Sequence, residues 1–398
     1  MVKQLLALVF FALSAVGLIL AAVQHFALRS HLKRAAAQVQ QRPGMSILKP
    51  LCGADDHLLT NLSTFAHLEY PNYEIVLGVR DKRDAAWAIA LQARALWPEL
   101  VRVVLQRGAP GLNPKVNQLI TLAAAARHDV LVVSDSNVLV PPDYLDQIAA
   151  HLEDSSVGLV THPLAGIGEQ RVGAFFDNAY LSAGITPGVI AAKNIGGTDF
   201  VVAKSLAIRR ADLEGLGGFD ALKDVLAEDF VIGRLVSQKL GKRVALAHRP
   251  VLNVSSFRSV SAFVARYARW SVLQRKAVGP AVYATELLLN PVVLASVALA
   301  ADVGWLALSV WIICCSVKGA LDCASARILR GSGIALRYLP ALPVKDLLVG
   351  LAWSYGLVSD KVSWRGTRLR VLEGTRLARV AGPSRQVEPA APPLTDPG

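Results

Sequence analysis

The chain predicts a doubly wound α/β domain flanked by transmembrane helices. Three observations carry that prediction: a charge-free run from Leu5 to Val23, a middle stretch from Ser46 to about Ala247 in which short Val, Ile and Leu-rich segments alternate with helical ones, and a return of hydrophobicity beyond Pro280. Strand–helix alternation implies a mainly parallel sheet with helices on both faces. An apolar run of about 20 residues is what a helix needs to cross a bilayer. Hydrophobic residues make up 53% of the chain and charged residues only 18%, which is outside ordinary water-soluble composition. The 398 residues leave room for one soluble domain of about 200–250 residues plus membrane elements, and not for two such domains.

Taken in order, Leu5–Val23 carries only Ser14 as a plainly polar residue and is followed by Gln24, His25, Arg29, His31, Lys33 and Arg34. A secretory signal has a shorter apolar core and a small-residue cleavage site, so residues 1–28 read as an uncleaved anchor whose trailing cations hold the next segment in the cytoplasm. Residues 40–280 form the soluble domain. Ser46–Leu48, Tyr73–Val79, Val101–Leu105, Val130–Val133, Gly158–Thr161 and Val244–Leu246 read as strands buried on both faces. His57–Leu68, Asp84–Leu96 and Pro114–Arg127 read as helices, the last with proline in its first turn. Residues 281–370 hold membrane helices. Leu287–Val317 has one charge, Asp302, in 31 residues; that is too long for one span and fits two helices hinged near Asp302 and Gly304. Leu347–Val358 is a third span, a re-entrant segment or an interfacial helix. Residues 371–398 are expected to form a disordered tail, with five prolines beyond Ala381.

The net charge of +12 arises from 42 Lys and Arg against 30 Asp and Glu. Many of the cations follow apolar stretches, as a positive-inside pattern and contact with anionic membrane lipids require. No stripe of Lys and Arg interleaved with aromatics points to nucleic acid. Four cysteines, two of them adjacent inside an apolar run, give neither a disulfide framework nor a metal-binding pair, consistent with a reducing compartment.

In an α/β sheet, ligands bind beyond the carboxyl ends of the strands. Asp81 follows one such strand and suits a nucleotide base or ribose. Asp84, three residues on, can do the same or simply cap the helix after it. Asp135 follows another strand in Ser134-Asp135-Ser136-Asn137, where a carboxylate can hold Mg²⁺ or Mn²⁺ against a diphosphate. Glu228-Asp229 opens a helical stretch. One acid there satisfies the helix dipole and the other can act as general base; Asp229 is the first choice and Glu228 the fallback. Arg266 and Arg269 lie three apart on one helix face, so both can reach a diphosphate while Trp270 packs against sugar or lipid. The same helix also reads as one lying in the head-group layer. Lys115, at a helix start, suits a phosphate.

These residues resemble, in order and spacing, the D, D, D, (Q/R)xxRW pattern of inverting family 2-like glycosyltransferases with the GT-A fold, a nucleotide-sugar-binding α/β domain. More closely, the chain resembles the ceramide glucosyltransferases, family 21, through Ser46-Ile-Leu-Lys-Pro-Leu51, Tyr70-Pro-Asn-Tyr-Glu74, Gly111-Leu-Asn-Pro-Lys-Val-Asn117 and Ser363-Trp-Arg-Gly366. The resemblance runs from the anchor to about residue 370. It implies transfer of glucose from UDP-glucose to the primary hydroxyl of ceramide, with inversion. It assigns Asp81 to uridine, Asp135 to the metal diphosphate, Asp229 to the base, and Arg266, Arg269 and Trp270 to diphosphate and acceptor. Lys49, Asp84 and Lys115 join the substrate-binding set. Asn137 stands where many GT-A enzymes carry a second metal-binding acid, a departure that the ceramide enzymes share. A hopanoid or other lipid acceptor with UDP-N-acetylglucosamine is the nearest alternative. A non-catalytic nucleotide-sugar-binding membrane protein is the alternative of another class. The expected location is a bacterial inner membrane or equivalent, with the catalytic domain in the cytoplasm.

Overall fold

A computed structural model describes residues 1–35, 37–197, 201, 204–364 and 367–379. Its centre is a seven-stranded sheet in the order β3 (Val101–Leu105), β2 (Tyr73–Val79), β1 (Met45–Pro50), β4 (Val130–Ser134), β8 (Ser205–Arg209), β6 (Val157–Thr161), β9 (Arg243–Leu246). Alternation along each strand builds two cores. Met45, Ile47, Ile75, Leu77, Val130 and Val132 face α2 (Leu58–Ala66), α3 (Ala86–Leu96) and α5 (Tyr144–Leu152). Leu48, Val76, Leu131 and Val133 face α4 (Pro114–Ala125), α8 (Arg210–Gly215) and α9 (Glu228–Leu240). Both faces are covered, which is why these strands read as continuous apolar runs.

The sheet is mixed. β8 runs antiparallel to both β4 and β6, with Ser205 paired to Ser134. This strand is absent from the alternation read above, and it matters because its first residue meets the carboxyl end of β4. A three-stranded sheet of β5 (Val138–Leu139), β10 (Val251–Val254) and β7 (Leu164–Ile167) closes one end of the domain. From it run α6 (Val172–Tyr180) and α7 (Thr186–Gly196), joined by a π-helical turn over Leu181–Ile185.

The apolar segments form α1 (Val2–Leu32), the short α11 (Pro280–Thr285), α12 (Pro291–Ala301), α13 (Trp305–Arg330) and α14 (Leu342–Val358). Among the described residues three helical stretches are long and apolar enough to cross a membrane: Val2–Leu32, Trp305–Arg330 and Leu336–Val358. The segments Pro280–Leu289 and Pro291–Ala301 form a further pair bent by 81°. α1 packs along α12, where Ser14 donates to the Pro291 carbonyl at 2.9 Å. The break at Asp302–Gly304 falls where the single charge and the glycine place it, but α13 continues to Arg330. α14 likewise begins before the expected Leu347. The ionisable residues these helices include are buried and paired, Lys345 of α14 bonding Asp322 of α13 at 3.0 Å and its neighbour Asp346 at 2.7 Å.

α10 (Val260–Val278) lies along α14. After α14 the chain forms an antiparallel sheet of β11 (Lys361–Trp364), β12 (Thr367–Val371) and β13 (Leu377–Arg379). The expectation of a disordered tail from residue 371 therefore fails for its first part. Val371 pairs with Leu377, and both side chains are buried against Leu226 and Val272. Arg365, Gly366 and the proline-rich residues 380–398 lie outside the described residues.

Candidate active site

The site assembles where β1, β4 and β8 meet. Asp135 leaves the end of β4, and the Ser134–Ser205 register sets Lys204, the residue before β8, directly opposite. The Lys204 ammonium bonds Asp135 Oδ2 at 2.8 Å and the Asn137 amide oxygen at 2.8 Å. Lys115, on the first turn of α4, reaches Asp135 Oδ1 at 3.0 Å and Glu228 Oε1 at 2.8 Å. One chain of alternating charge thus runs Lys204, Asp135, Lys115, Glu228, with Asp229 beside it.

The Gly111–Asn117 segment makes this meeting possible. Asn113 caps α4 by accepting from the Lys115 and Val116 N–H groups, while its amide donates to the Val225 carbonyl at 2.6 Å and to Glu228 Oε2 at 3.2 Å. Proline next to that cap suits the first helical turn, whose N–H groups have no partner within the helix. Gly111 lies against the Lys223 carbonyl, closer than a Cβ would allow. Asn113 N–H bonds the same carbonyl at 2.8 Å, and Leu112 N–H bonds Asp224 at 2.8 Å. The loop before α4 is therefore fastened to the loop before α9, and Lys115 is delivered to the acid pair.

Electrostatics separate the carboxylates. Burial raises the Asp135 pKa, but the Lys115 and Lys204 ammonium groups outweigh it and hold the carboxyl well below the usual carboxylate range. Lys115 is itself held protonated: burial opposes its charge, and Asp135, Glu228 and Asp229 more than compensate. Asp229 goes the other way. Burial, reinforced by the neighbouring Glu228 carboxylate, pushes its pKa up to about 7. An acid lifted toward neutrality in this way, beside carboxylates committed to lysines, is what a proton acceptor requires.

Arg266, Arg269 and Trp270 project from α10 into the same cavity. The Arg266 guanidinium lies 4.8 Å from the Trp270 ring centre and 3.5 Å from Asp177 on α6. Arg258 at 3.1 Å and the Tyr267 hydroxyl at 2.8 Å share that carboxylate. Burial pushes Asp177 up, yet Arg266 and Arg258 hold it below its usual value. The buried Arg266 Nε has no partner among the described residues.

Together these side chains line a cavity of about 900 Å³. Its polar end holds Lys115, Asp135, Lys204, Glu228, Asp229 and Arg266; its other end reaches Leu20 and Val23 of α1, Leu289, and Val349 and Trp353 of α14. Asp55, which accepts from Ser136 Oγ, also lines it.

Three expected residues stand outside this wall. Lys49 is fully buried behind Asp135, bonding its backbone carbonyl at 2.9 Å and Ser134 Oγ at 3.3 Å, with its ammonium 3.5 Å above the Phe65 ring. It holds the turn that presents Asp135. Asp84 accepts from the Ala86 and Gly53 N–H groups, each at 2.8 Å, and so ties the start of α3 to the loop after β1. Asp81 accepts from Arg83 N–H at 2.8 Å and keeps its side chain 43% exposed. Sequence reasoning missed Lys204, Asp55 and Asp177. An acid inside the apolar Val172–Tyr180 helix was the available signal for Asp177; Lys204 had none, because only the antiparallel strand after it brings it to the site. Among the described residues no three His, Cys, Asp or Glu side chains converge as an all-protein metal cage.

The chain is similar to ceramide glucosyltransferase 3 of Caenorhabditis elegans, 29% identical over 237 residues, and to ceramide glucosyltransferase 1 of the same animal, 27% identical over 234 residues. Each match covers 58% of this chain and 50% of the relative, so the chain spans about half the length of the curated relatives it matches. Among solved structures it is similar to a mannosyltransferase from Pyrobaculum calidifontis in complex with GDP-mannose and Mn²⁺, at 18% identity and a TM-score of 0.49, over 88% of this chain and 99% of that one. The sequence matches glycosyl transferase family 21 over residues 9–377, nearly its whole length, and the chain belongs to that family.

Proposed function

We propose that the protein transfers glucose from UDP-glucose to the primary hydroxyl of ceramide, with inversion at the anomeric carbon. The observation that carries this reading is the single cavity that joins an acid–lysine centre to helices long and apolar enough to span a membrane. A water-soluble acceptor would need no such apolar end, whereas a two-tailed lipid can present its hydroxyl while its tails remain in the bilayer. The similarity to ceramide glucosyltransferases favours ceramide over a hopanoid acceptor.

In this reading Asp229 is the general base. Its carboxylate takes the hydroxyl proton as the acceptor oxygen attacks the anomeric carbon and the bond to UDP breaks on the opposite face, with no covalent intermediate. Glu228 is committed to Lys115 and Asn113 and keeps Asp229 basic. Lys115, Lys204, Arg266 and Arg269 supply positive charge where the diphosphate charge develops. Trp270, braced against Tyr267 and Arg266, shapes the passage between donor and acceptor. Asp81 would meet the nucleotide from the rim.

Asp135 fits a substrate-borne divalent ion: Mg²⁺ commonly takes one or two carboxylates and completes its shell with phosphates and water, and Asp135 is one carboxylate in the cavity wall. Its present partners are flexible ammonium groups, which can turn to phosphate oxygens instead. Mg²⁺ or Mn²⁺ there would help neutralise the leaving diphosphate. The cytoplasmic face of a bacterial inner membrane, or an equivalent membrane, is where such a donor is available.

Membranes holding the protein, given radiolabelled UDP-glucose or UDP-N-acetylglucosamine with ceramide or a hopanoid polyol, test this directly. Labelled glucosylceramide is the expected product. Label on the hopanoid alone would move the acceptor class, and donor binding with no lipid product would favour a non-catalytic sugar-nucleotide protein.

A further inference from the structure

Resting on that lipid-acceptor reading, a second polar site stands out at the membrane end of the cavity. Four ionisable side chains sit in segments that qualify as membrane spans: Lys318 and Asp322 on α13, Lys345 and Asp346 on α14. Lys345 bridges Asp322 at 3.0 Å and Asp346 at 2.7 Å, and Lys318 pairs with Asp322 one turn away. All four are buried. Ionisable groups in such helices are costly to keep, and well-packed apolar residues would fasten two helices at least as well. Fastening α13 to α14 needs only the Lys345–Asp322 pair. Lys318 and Asp346 do something more, since both line the cavity that contains Asp135 and Asp229.

We propose that Lys318 and Asp346 bind the polar head of the lipid acceptor, with the Lys345–Asp322 pair holding them in position. Two lysines against two aspartates leave the cluster neutral, so it has no net attraction for an anionic phospholipid. It does offer an ammonium donor and a carboxylate acceptor on the wall of one cavity, linked through Asp322 and Lys345. An uncharged head with an amide and hydroxyls satisfies both: a hydroxyl oxygen accepts from Lys318, and the amide N–H donates to Asp346. Leu20, Val23 and Val349 beside them suit the chains attached to such a head. The cluster also touches the catalytic framework. Lys345 Nζ lies 5.8 Å from the Tyr180 ring, whose edge packs on Tyr267 at 4.9 Å, and Tyr267 shares Asp177 with Arg266.

The test is steady-state kinetics of the full-length protein in lipid nanodiscs with UDP-glucose and a short-chain ceramide, comparing wild type with Lys318→Met, Lys318→Arg and Asp346→Asn. The KM for ceramide should rise roughly ten- to hundred-fold in Lys318→Met and Asp346→Asn, the loss of one hydrogen bond to a charged group. The KM for UDP-glucose should stay within about two-fold, and Lys318→Arg should recover most of the loss. An unchanged ceramide KM, or donor and acceptor KM rising together as thermal stability falls, would reduce the cluster to a helix fastener and overturn the proposal. Should the variants fail to fold, an N-methylated ceramide given to the wild type decides. Without its amide N–H it should be a roughly ten-fold poorer acceptor by KM, and equal use overturns the role of Asp346. A wild type that binds UDP-glucose yet glycosylates no uncharged lipid would contradict the acceptor reading itself, an outcome visible before any variant is made.

Discussion

At the scale of single residues, two neighbouring acids have different environments: Glu228 is bonded to Lys115 and Asn113, and Asp229 lies beside it. Asp229 has its pKa raised to about 7 by burial and then by Glu228, so the fraction able to accept a proton grows as pH rises through neutrality. kcat/KM should therefore fall about ten-fold for each pH unit below about 7, and a pH–rate profile checks this. The same shift has a sign for stability. Its folded value lies above the roughly 3.9 of an unfolded Asp, so the stability linked to Asp229 is present below that value and lost as pH rises through 7. Asp135 runs opposite: held low by Lys115 and Lys204, it contributes above about 3.9, and that contribution goes as acid protonates it. Lys115 joins Asp135 to Glu228, and Lys115→Met leaves Asp135 with Lys204 and Glu228 with the Asn113 amide as side-chain partners. If Lys115 meets the donor diphosphate as proposed, the substitution should lower activity more than about ten-fold and weaken UDP binding, read by calorimetry.

At the scale of elements, the loop before α9 owes its shape to segments far apart in sequence. Asn113 and Leu112 hold it from one side. From the other, Leu226 N–H bonds the Thr375 carbonyl at 2.9 Å, and Leu377 N–H bonds the Asp224 carbonyl at 2.7 Å. The C-terminal sheet is thus a brace for Glu228-Asp229. Leu377→Asp puts an unpaired charge among Leu226, Val272, Leu369 and Val371. It should cost about 2–4 kcal/mol of stability and lower kcat/KM more than ten-fold, measurable by thermal unfolding and product formation. The same element shows where sequence reading stopped. Strands β1, β2 and β4, buried along nearly their whole length, were legible because Val, Ile and Leu fill the middle of each. β12 and β13 alternate exposed cations with buried Leu and Val after a membrane helix, and their buried faces acquire meaning only against Leu226 in the loop before α9 and Val272 of α10.

At the scale of the whole molecule, the catalytic domain and the apolar helices share one cavity, so their packing is part of the site. Gly17 of α1 is the clearest joint: a Cβ there would lie 2.5 Å from the Leu288 carbonyl oxygen. Gly17→Leu should separate α1 from α12 at a cost of about 1–3 kcal/mol, seen as a lower Tm in detergent. The order of carboxylates along the chain, and the RxxRW helix, could be read without coordinates because each follows a strand end or a helix periodicity. The partners that tune them could not. Lys204 depends on an antiparallel strand inserted into a parallel pattern, Asp177 on a helix crossing beneath α10, and the Lys318–Asp346 cluster on two helices separated in sequence. Such contacts are set by tertiary packing, which local patterning does not encode. The most direct test of the central claim is glucosylceramide formation by Asp229→Asn alongside UDP-glucose binding by the same protein. Turnover should fall about 10²- to 10⁴-fold with donor binding retained; an Asp229→Asn protein that still makes glucosylceramide at near wild-type rate would rule out Asp229 as the base.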